Sequence, residues 1–565
     1  DKTAKLWAAS GGDPRTFSGH ADALTSVAFS SDGQKILTGS GDRTAKWWSL
    51  SSPDTLTLRG HTSFVRSAVF SPDGRKVLTG SDDNTVKIWD ANSGQCLMTF
   101  ISLDTSEWVV TTPFGLFDAS PGAMKLMYYT QGLEVIELGQ LKERYYEPGL
   151  LGKLLGFNDD PLRSVEGFGA LPLYPKLDAA IGADQLSLAV TLTPRSGGIG
   201  KLSLFVNGKE VLEDANPQRA ERVSIDLTQF AEYYLPGENN LLALRAYNAQ
   251  GWLKSSALEL GYQPPAIARG TSSGPAAATL SRPKPALYAI VIGTADYSGD
   301  KLDLKYADLD AVYFSQALRA AAPGVYADKV AITLLNTRAD DPERQGISSK
   351  AAIRQAFVDL VIKAKAQDVL MVYFSGHGVT YGAAENAQFY YLTKDIASEN
   401  LSDPEIRNNY AISSAELTEW IKAIPALKQV MVIDACNSGK IVEDLAVRKD
   451  LSSTQIRALD RMKDRTGMFI LTGSAADMVS YEAGQYGQGL LTFSLLEGMS
   501  GPALSDGNVV DVMTLFQHAR NRVPELARGI GGIQSPVLAF PDGGASFDIG
   551  LVGPGVKIPL AKAKP

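Results

Sequence analysis

Residues 368–378 read DVLMVYFSGHG, and residues 428–439 read KQVMVIDACNSG. Each stretch contains a short apolar run, and similar runs occupy residues 288–292 and 468–472, with helix-like stretches between them. This alternation is typical of an α/β fold, in which the strands of a mainly parallel sheet are buried beneath flanking helices. The sequence therefore predicts an α/β domain over residues 286–550.

A reactive side chain follows each of the two quoted runs, His377 in the first and Cys436 in the second. Functional groups of parallel sheets collect beyond the carboxyl ends of the strands, so we expect these two residues to lie close together. An imidazole beside a thiol can take up the thiol proton and later return a proton to a leaving amine. A lone cysteine is more often a small buried apolar residue, and Cys96, which has no such surroundings, is predicted to be structural.

The motifs YFSGHG (373–378) and VIDACNSG (432–439) resemble the two catalytic motifs of the caspase-like cysteine peptidases, in the branch of metacaspases and prokaryotic caspase homologues. The resemblance extends over residues 286–545, where GQGLLTFSLLEGMSG and GGIQSPVLAF are similar to the smaller C-terminal subdomain of that family. It implies that His377 is the general base and acid and that Cys436 is the nucleophile. It also implies an oxyanion hole formed by the backbone amides of Gly378 and Cys436. Separases and gingipains also place His and Cys at strand ends, but the Asp-x-Cys-x-Ser-Gly spacing favours the caspase-like family.

The resemblance also implies which residue the substrate carries before the scissile bond. Animal caspases cleave after Asp with a basic pocket, whereas metacaspases cleave after Arg or Lys with an acidic pocket. The three metacaspase pocket positions correspond here to Asp310, Ser375 and Asp434. Two carboxylates and a hydroxyl would pair with a cationic side chain. The alternative is that Asp434 caps the turn after its strand and that Asp310 is a solvated helix residue.

Many metacaspases bind calcium through a cluster of aspartates. The corresponding positions of this chain are Gln388, Ser413, Ser414 and Glu443, and only one of them is a carboxylate. Calcium prefers six to eight oxygen ligands, several of them charged. We therefore expect calcium independence, no other metal and no cofactor.

The segment after the nucleophile, residues 440–467, is polar and rich in basic residues. It is either a self-cleavage loop, as in related zymogens, or a solvated helix, and the sequence leaves both open. The candidate cleavage residues are Lys440, Arg448, Lys449, Arg457, Arg461, Lys463 and Arg465.

The N-terminal part of the chain contains a repeat with a spacing of 41 residues, marked by Gly-His pairs and by Trp7, Trp48 and Trp89. Residues 1–100 resemble WD-type β-propeller blades, whose histidines belong to internal hydrogen-bond networks, so His20 and His61 are predicted to be structural. Because residue 1 falls inside a repeat, we expect the propeller to be incomplete here and the native chain to be longer at its N-terminus.

Three further segments separate the repeats from the α/β domain. Residues 101–170 are predicted to be a connector with helices, and residues 263–285 an extended linker rich in Pro, Gly, Ser and Ala. Residues 171–262 alternate in polarity and include a hairpin signal at Asn207-Gly208, which predicts an immunoglobulin-like β-sandwich. His518 falls on a predicted helix and is expected to be structural or exposed.

Composition narrows the remaining possibilities. The chain has 565 residues, several times the usual domain length, and is therefore predicted to be multidomain. A net charge of −8 gives no basic surface for nucleic acid, and no apolar run is long enough to span a membrane. A chain of this length with only two cysteines is typical of a reducing compartment, which favours the cytoplasm.

The sequence thus predicts a cysteine endopeptidase that cleaves proteins after Arg or Lys through a Cys–His dyad. The WD repeats would bind a protein partner, and the repeats and the β-sandwich would serve recruitment or regulation. By resemblance of architecture we expect a bacterial regulatory or defence pathway. The alternative is an interaction scaffold whose caspase-like domain is catalytically silent.

Overall fold

The computed structural model describes residues 1–157, 161–167, 169–265, 284–382, 387–397, 401–436, 453–473, 482–483, 485–532, 534–541 and 543–561. These residues form two compact units. The first consists of Asp1–Pro172 with Trp252–Lys254, and the second of Leu173–Gly251 with Ser255–Pro565. Among the described residues, no helix is both long enough and apolar enough to cross a lipid bilayer.

The first unit consists mainly of antiparallel strands. Its strands are β1 (Thr3–Leu6), β2 (Arg15–Ser18), β3 (Leu24–Phe29), β4 (Lys35–Ser40), β5 (Thr44–Ser49), β6 (Thr55–Arg59), β7 (Val65–Phe70), β8 (Lys76–Ser81), β9 (Thr85–Asp90), β10 (Cys96–Ser102), β11 (Trp108–Thr111), β12 (Phe117–Ala119), β13 (Tyr128–Gln131) and β14 (Glu134–Glu137). Its helices are α1 (Ala123–Leu126), α2 (Leu138–Tyr145) and α3 (Leu150–Leu155). Strands β3 to β6 form one four-stranded sheet, and β7 to β12 form a six-stranded sheet in sequence order.

Each of the two full repeats contains the same buried hydrogen-bond network. In the second repeat, His61 Nδ1 lies 2.9 Å from Asp83 Oδ2 and His61 Nε2 lies 2.7 Å from Thr79 Oγ1. Trp89 Nε1 donates to the same threonine at 2.8 Å. Corresponding residues of the first repeat, His20, Asp42, Thr38 and Trp48, make the same contacts. The prediction that these histidines are structural is therefore confirmed.

The second repeat sheet continues past residue 100, where the sequence analysis ends the repeats. Strand β10 extends to Ser102, and β11 and β12 add two further strands to the same sheet. Leu116 and Leu150 of the expected connector share a core with Met98 of β10. The sheet of the second repeat therefore extends beyond residue 100 through strands that lack the repeat motif. Cys96 begins β10, and its thiol donates to Met98 O at 3.3 Å, as expected for a structural residue.

The second unit begins with seven antiparallel strands in two sheets. They are β15 (Lys176–Ile181), β16 (Ser187–Thr193), β17 (Leu202–Val206), β18 (Lys209–Leu212), β19 (Arg222–Asp226), β20 (Asn240–Ala246) and β21 (Leu258–Tyr262). One sheet has the order β15-β16-β19 and the other β18-β17-β20-β21, and alternate apolar residues of both fill a shared core. The predicted turn between β17 and β18 is confirmed, since Asn207 and Gly208 both have positive φ, at 48° and 86°.

The α/β part of the second unit contains the following strands and helices. The strands are β22 (Leu287–Gly293), β23 (Val330–Asn336), β24 (Val369–Tyr381), β25 (Gln388–Leu392), β26 (Ala411–Ser413), β27 (Lys428–Cys436), β28 (Phe469–Thr472), β29 (Glu482–Ala483), β30 (Gln488–Gly489), β31 (Val509–Asp511), β32 (Val537–Ala539) and β33 (Asp548–Leu551). The helices are α4 (Ala307–Ala321), α5 (Pro323–Tyr326), α6 (Lys350–Lys363), α7 (Pro404–Tyr410), α8 (Ser414–Ala423), α9 (Ser453–Thr466), α10 (Leu490–Met499) and α11 (Val512–Gly529).

The central sheet has the strand order β23-β22-β24-β27-β28-β32. Its strands are parallel except for β32, which runs antiparallel to β28. Met371 and Tyr373 of β24 pack towards α4, α10 and α11, whereas Val372 and Phe374 pack towards α6, α8 and α9. The predicted mainly parallel sheet between two helical layers is confirmed. The two-residue period of a strand directs Ser375 to the same side as Tyr373.

The β-sandwich packs on the α/β part through its β17–β18 hairpin. The ammonium group of Lys209 is buried and donates to the carbonyl oxygens of Ile421, Ile424 and Ala426, at and just beyond the C-terminus of α8. The neighbouring Glu210 accepts from Arg465 of α9 at 2.6 Å. The hairpin is therefore an integral part of the packing around α8 and α9.

Candidate active site

The two predicted catalytic residues lie directly opposite each other in the sheet. Strands β24 and β27 are parallel neighbours, and their register pairs His377 with Cys436 and Ser375 with Asp434. Paired residues of adjacent strands lie about 4.8 Å apart along the hydrogen-bonding direction. The sheet therefore brings both candidates together at its carboxyl edge.

The His377 side chain is held in one tautomer. It is 6% exposed, and its Nε2 lies 2.7 Å from the carbonyl oxygen of Leu302. A carbonyl oxygen can only accept, so Nε2 carries the proton and Nδ1 keeps a free lone pair. Burial lowers the pKa of His377 to about 4, against the opposing effect of the Leu302 hydrogen bond. The imidazole is therefore neutral at pH 7 and can act as a base.

A tyrosine from the loop between β22 and α4 supports this histidine. The rings of Tyr297 and His377 lie 5.1 Å apart, and the backbone N–H of His377 donates to the Tyr297 hydroxyl at 2.9 Å. Asp303 in turn accepts from the Tyr297 backbone N–H at 2.9 Å. These contacts hold the loop that carries Leu302. Sequence reasoning did not find Tyr297 or Leu302, because the loop contains no motif and a backbone carbonyl leaves no sequence signal.

The glycines on both sides of His377 are required by close contacts. Gly376 has φ 153°, and a Cβ there would lie 2.8 Å from the hydroxyl oxygen of Tyr391. A Cβ on Gly378 would lie 2.4 Å from the ring of Phe389. Strand β24 can therefore pass under these aromatic rings only with glycine at both positions.

The three predicted pocket residues converge at the same edge of the sheet. Asp310 and Asp434 are each 3% exposed, and Ser375 Oγ donates to Asp310 Oδ2 at 3.4 Å. The Gly489 backbone N–H donates to Asp310 Oδ1 at 3.1 Å. A Cβ on Gly489 would lie 2.9 Å from Asp310 Oδ2 and 2.8 Å from Asp434 Oδ2. Asp310 is therefore not a solvated helix residue, which removes that alternative for this position.

Asp434 is bound at the N-terminus of α10. Its Oδ2 accepts from Thr492 Oγ1 at 2.6 Å and from the Thr492 backbone N–H at 3.2 Å. Its Oδ1 is buried and has no hydrogen-bond partner among the residues that the structure describes. Burial raises the pKa of Asp434, while the Thr492 hydrogen bonds oppose this shift. Asp434 therefore caps α10, a helix that begins 56 residues later in the chain, whereas the turn after its own strand lies outside the described residues.

Comparison with known proteins identifies this part of the chain. Residues 286–542 match the family model described as the caspase domain, and residues 11–49 and 53–90 match the WD domain, G-beta repeat. The chain contains a caspase domain. A crystal structure of a Geobacter sulfurreducens protein matches 48% of this chain and 97% of its own, at 16% identity and a TM-score of 0.29. No curated protein matches the chain.

The candidate cleavage residues of the caspase domain fall into two groups. Lys440, Arg448 and Lys449 lie outside the described residues. The other four lie in α9, where Lys463 pairs with Asp460 and Arg465 with Glu210. Arg457 is buried, and Arg461 donates to Ala387 O at 3.3 Å. These four are held in a helix, whereas peptidases bind extended backbone.

One of the four positions that correspond to the calcium cluster of relatives has a structural role in this chain. Ser413 is the N-cap of α8, where its Oγ accepts from Glu416 N at 3.1 Å. Gln388 lies in β25, Ser414 is buried, and Glu443 lies outside the described residues. No group of three or more potential metal ligands occurs in the described parts of the chain.

The fourth histidine lies far along the chain from this site. His518 lies in α11, with its Nε2 3.7 Å from Glu497 Oε2 of α10. This helix–helix contact agrees with the structural role that the sequence predicts.

Proposed function

We propose that the caspase domain is a cysteine endopeptidase that cleaves proteins after Arg or Lys. The observation that carries this proposal is the convergence of two buried carboxylates, Asp310 and Asp434, around Gly489, next to the paired His377 and Cys436 positions. Burying the Asp434 carboxylate, whose Oδ1 has no hydrogen-bond partner among the described residues, is costly unless a cation lies beside it. A protonated Arg or Lys side chain of the substrate supplies that cation.

The proposed reaction begins with proton transfer from the Cys436 thiol to Nδ1 of His377, which the Leu302 hydrogen bond leaves unprotonated. The thiolate then attacks the scissile carbonyl carbon, and the carbonyl oxygen becomes an oxyanion that accepts from the amides of Gly378 and Cys436. His377 returns the proton to the leaving amine as the C–N bond breaks. Water, deprotonated by His377, hydrolyses the thioester and regenerates the thiol.

The specificity follows from the charges in the pocket. Asp434 Oδ1 has no partner among the described residues, so it can accept from a guanidinium or ammonium group. Ser375 supplies a hydroxyl beside Asp310. An aspartate side chain in the same place would face two like charges, which disfavours cleavage after Asp.

The remaining features of the proposal rest on the sequence. The WD repeats bind a protein partner, and the β-sandwich, which we assign to the immunoglobulin-like type, serves docking or regulation. The enzyme works without calcium, in the cytoplasm, in a bacterial regulatory or defence pathway, and without a nucleic-acid partner. If it matures by self-cleavage, Lys440, Arg448 and Lys449 are the candidate positions.

The test compares fluorogenic peptides that end in Arg, Lys or Asp, with EGTA or with added calcium. We expect the Arg and Lys peptides to be cleaved equally with and without calcium by wild type and by the control Cys96→Ala. Cys436→Ala and His377→Ala should be inactive. Cleavage of the Asp peptide alone would refute the pocket assignment. Absence of Cys436-dependent turnover under every condition would favour the catalytically silent scaffold.

A further inference from the structure

A buried chain of hydroxyl groups ends on the carboxylate of Asp434. The hydroxyl oxygen of Tyr373 lies 2.5 Å from Thr492 Oγ1, and Thr492 Oγ1 lies 2.6 Å from Asp434 Oδ2. An ionised carboxylate can only accept, so Thr492 donates to Asp434 and Tyr373 donates to Thr492. All three side chains are buried, and they come from β24, α10 and β27.

The position of Thr492 in α10 explains why it reaches this carboxylate. Gly489 is the N-cap of the helix and offers no side-chain acceptor. Asp434 takes that role from another strand, since the Thr492 backbone N–H donates to it at 3.2 Å. Free N–H groups and the positive end of the helix dipole stabilise a negative charge there.

We propose that Thr492, supported by Tyr373, is a positioning residue for the specificity pocket. It fixes Asp434 through Oδ2, so that Oδ1 is directed to the cationic side chain of the substrate. This inference rests on the proposed function. It adds two residues that contribute to substrate affinity without touching the reacting atoms.

Two observations favour this role over a purely structural one. The two oxygens of Asp434 are used unequally, since Oδ2 accepts two hydrogen bonds and Oδ1 none among the described residues. Gly489, at the start of the same helix, donates to Asp310, the other pocket carboxylate. The N-terminus of α10 therefore holds both acidic groups of the pocket.

The test uses variants of the full chain. Thr492→Val removes the hydroxyl at nearly constant volume, whereas Thr492→Ser keeps a hydroxyl at the same position. The double variant Tyr373→Phe with Thr492→Val removes both hydroxyls, so that the Tyr373 phenol is not left buried without a partner. Ser494→Ala is the matched control, because it removes a buried hydroxyl of the same helix that has no partner among the described residues. The measurements are KM and kcat for an Arg peptide, the inhibition constant of agmatine and the rate of inactivation by iodoacetamide.

We expect Thr492→Val and the double variant to raise KM and the agmatine inhibition constant about tenfold, with kcat within about twofold of wild type. Thr492→Ser and Ser494→Ala should behave like wild type. Inactivation by iodoacetamide depends on the Cys–His pair but not on the pocket. All variants should therefore be inactivated at the wild-type rate. An unchanged KM in Thr492→Val, or a parallel loss of kcat and of alkylation, would overturn the inference.

Agmatine binding to wild type, measured by calorimetry, separates this inference from the proposed function. If wild type binds agmatine but cleaves no peptide, the endopeptidase proposal fails, and weaker binding by Thr492→Val still supports the positioning role. If wild type does not bind agmatine, the positioning role is wrong.

Discussion

Replacing Lys209 by Met tests whether the β-sandwich stabilises the caspase domain. The Lys209 ammonium donates to three backbone carbonyl groups at and just beyond the C-terminus of α8, and it is 1% exposed. The last carbonyls of a helix have no partner within the helix, and here the hairpin covers them. Lys209 therefore acts as the C-terminal cap of α8, supplied from another domain.

The magnitude follows from the three hydrogen bonds that are lost. A hydrogen bond to a charged group contributes about 1.5–3 kcal/mol net, and Met recovers part of the cost of burying the ammonium. Burial also lowers the pKa of Lys209 well below its usual range, because desolvation disfavours the charged ammonium. We therefore expect Lys209→Met to reduce the local stability around α8 and α9 by about 3 kcal/mol.

Amide hydrogen exchange measured by mass spectrometry suits this test, because a protein with several domains has no single unfolding temperature. A loss of about 3 kcal/mol corresponds to about 100-fold faster exchange in peptides from α8 and α9. The matched control is Lys201→Met in the same sandwich, where the partly exposed lysine pairs with Glu213 at 3.3 Å. An exposed pair contributes about 0–1 kcal/mol, so its exchange should change little.

The reasoning is refuted if exchange in α8 and α9 of Lys209→Met stays within about twofold of wild type. It is also refuted if exchange rises uniformly throughout the caspase domain, because the lost bonds concern only one end of α8.

Three further outcomes are expected. Burial lowers the pKa of His377 from 6.5 to about 4, and catalysis needs the neutral imidazole. We therefore expect kcat at saturating Arg peptide to fall only as the pH drops through about 4. A fall of kcat with a midpoint near pH 6.5 would contradict this. Gly489→Ala places a Cβ against both pocket carboxylates and should raise KM for the Arg peptide at least about tenfold, whereas an unchanged KM would exclude Gly489 from the pocket. Asp83→Ala removes the acceptor of His61 and should destabilise its repeat by about 2–3 kcal/mol. We expect amide hydrogen exchange to become faster in β8 and β9 and to stay unchanged in the caspase domain.

The features predicted from sequence are those that depend on short stretches of chain. Buried parallel strands require continuous apolar runs, so β24 and β27 are evident from the sequence, and the parallel register explains why His377 and Cys436 meet. The turn at Asn207-Gly208 and the histidine networks of the repeats are also local, because each arises within one hairpin or one repeat. The site residues Asp310, Ser375 and Asp434 came from resemblance to a family, and the structure brings these side chains together.

The tertiary structure alone decided the contacts between distant segments. The Leu302 carbonyl that sets the tautomer of His377, the Thr492 hydroxyl that fixes Asp434 and the Lys209 cap of α8 join elements far apart in the chain. None of these partners belongs to a periodic pattern, and two of the three contacts use backbone carbonyls, which every residue carries. Such contacts follow from how the elements pack in space, which is why the sequence determined the strands and the pairing of His377 with Cys436 but not the contacts that orient His377 and Asp434.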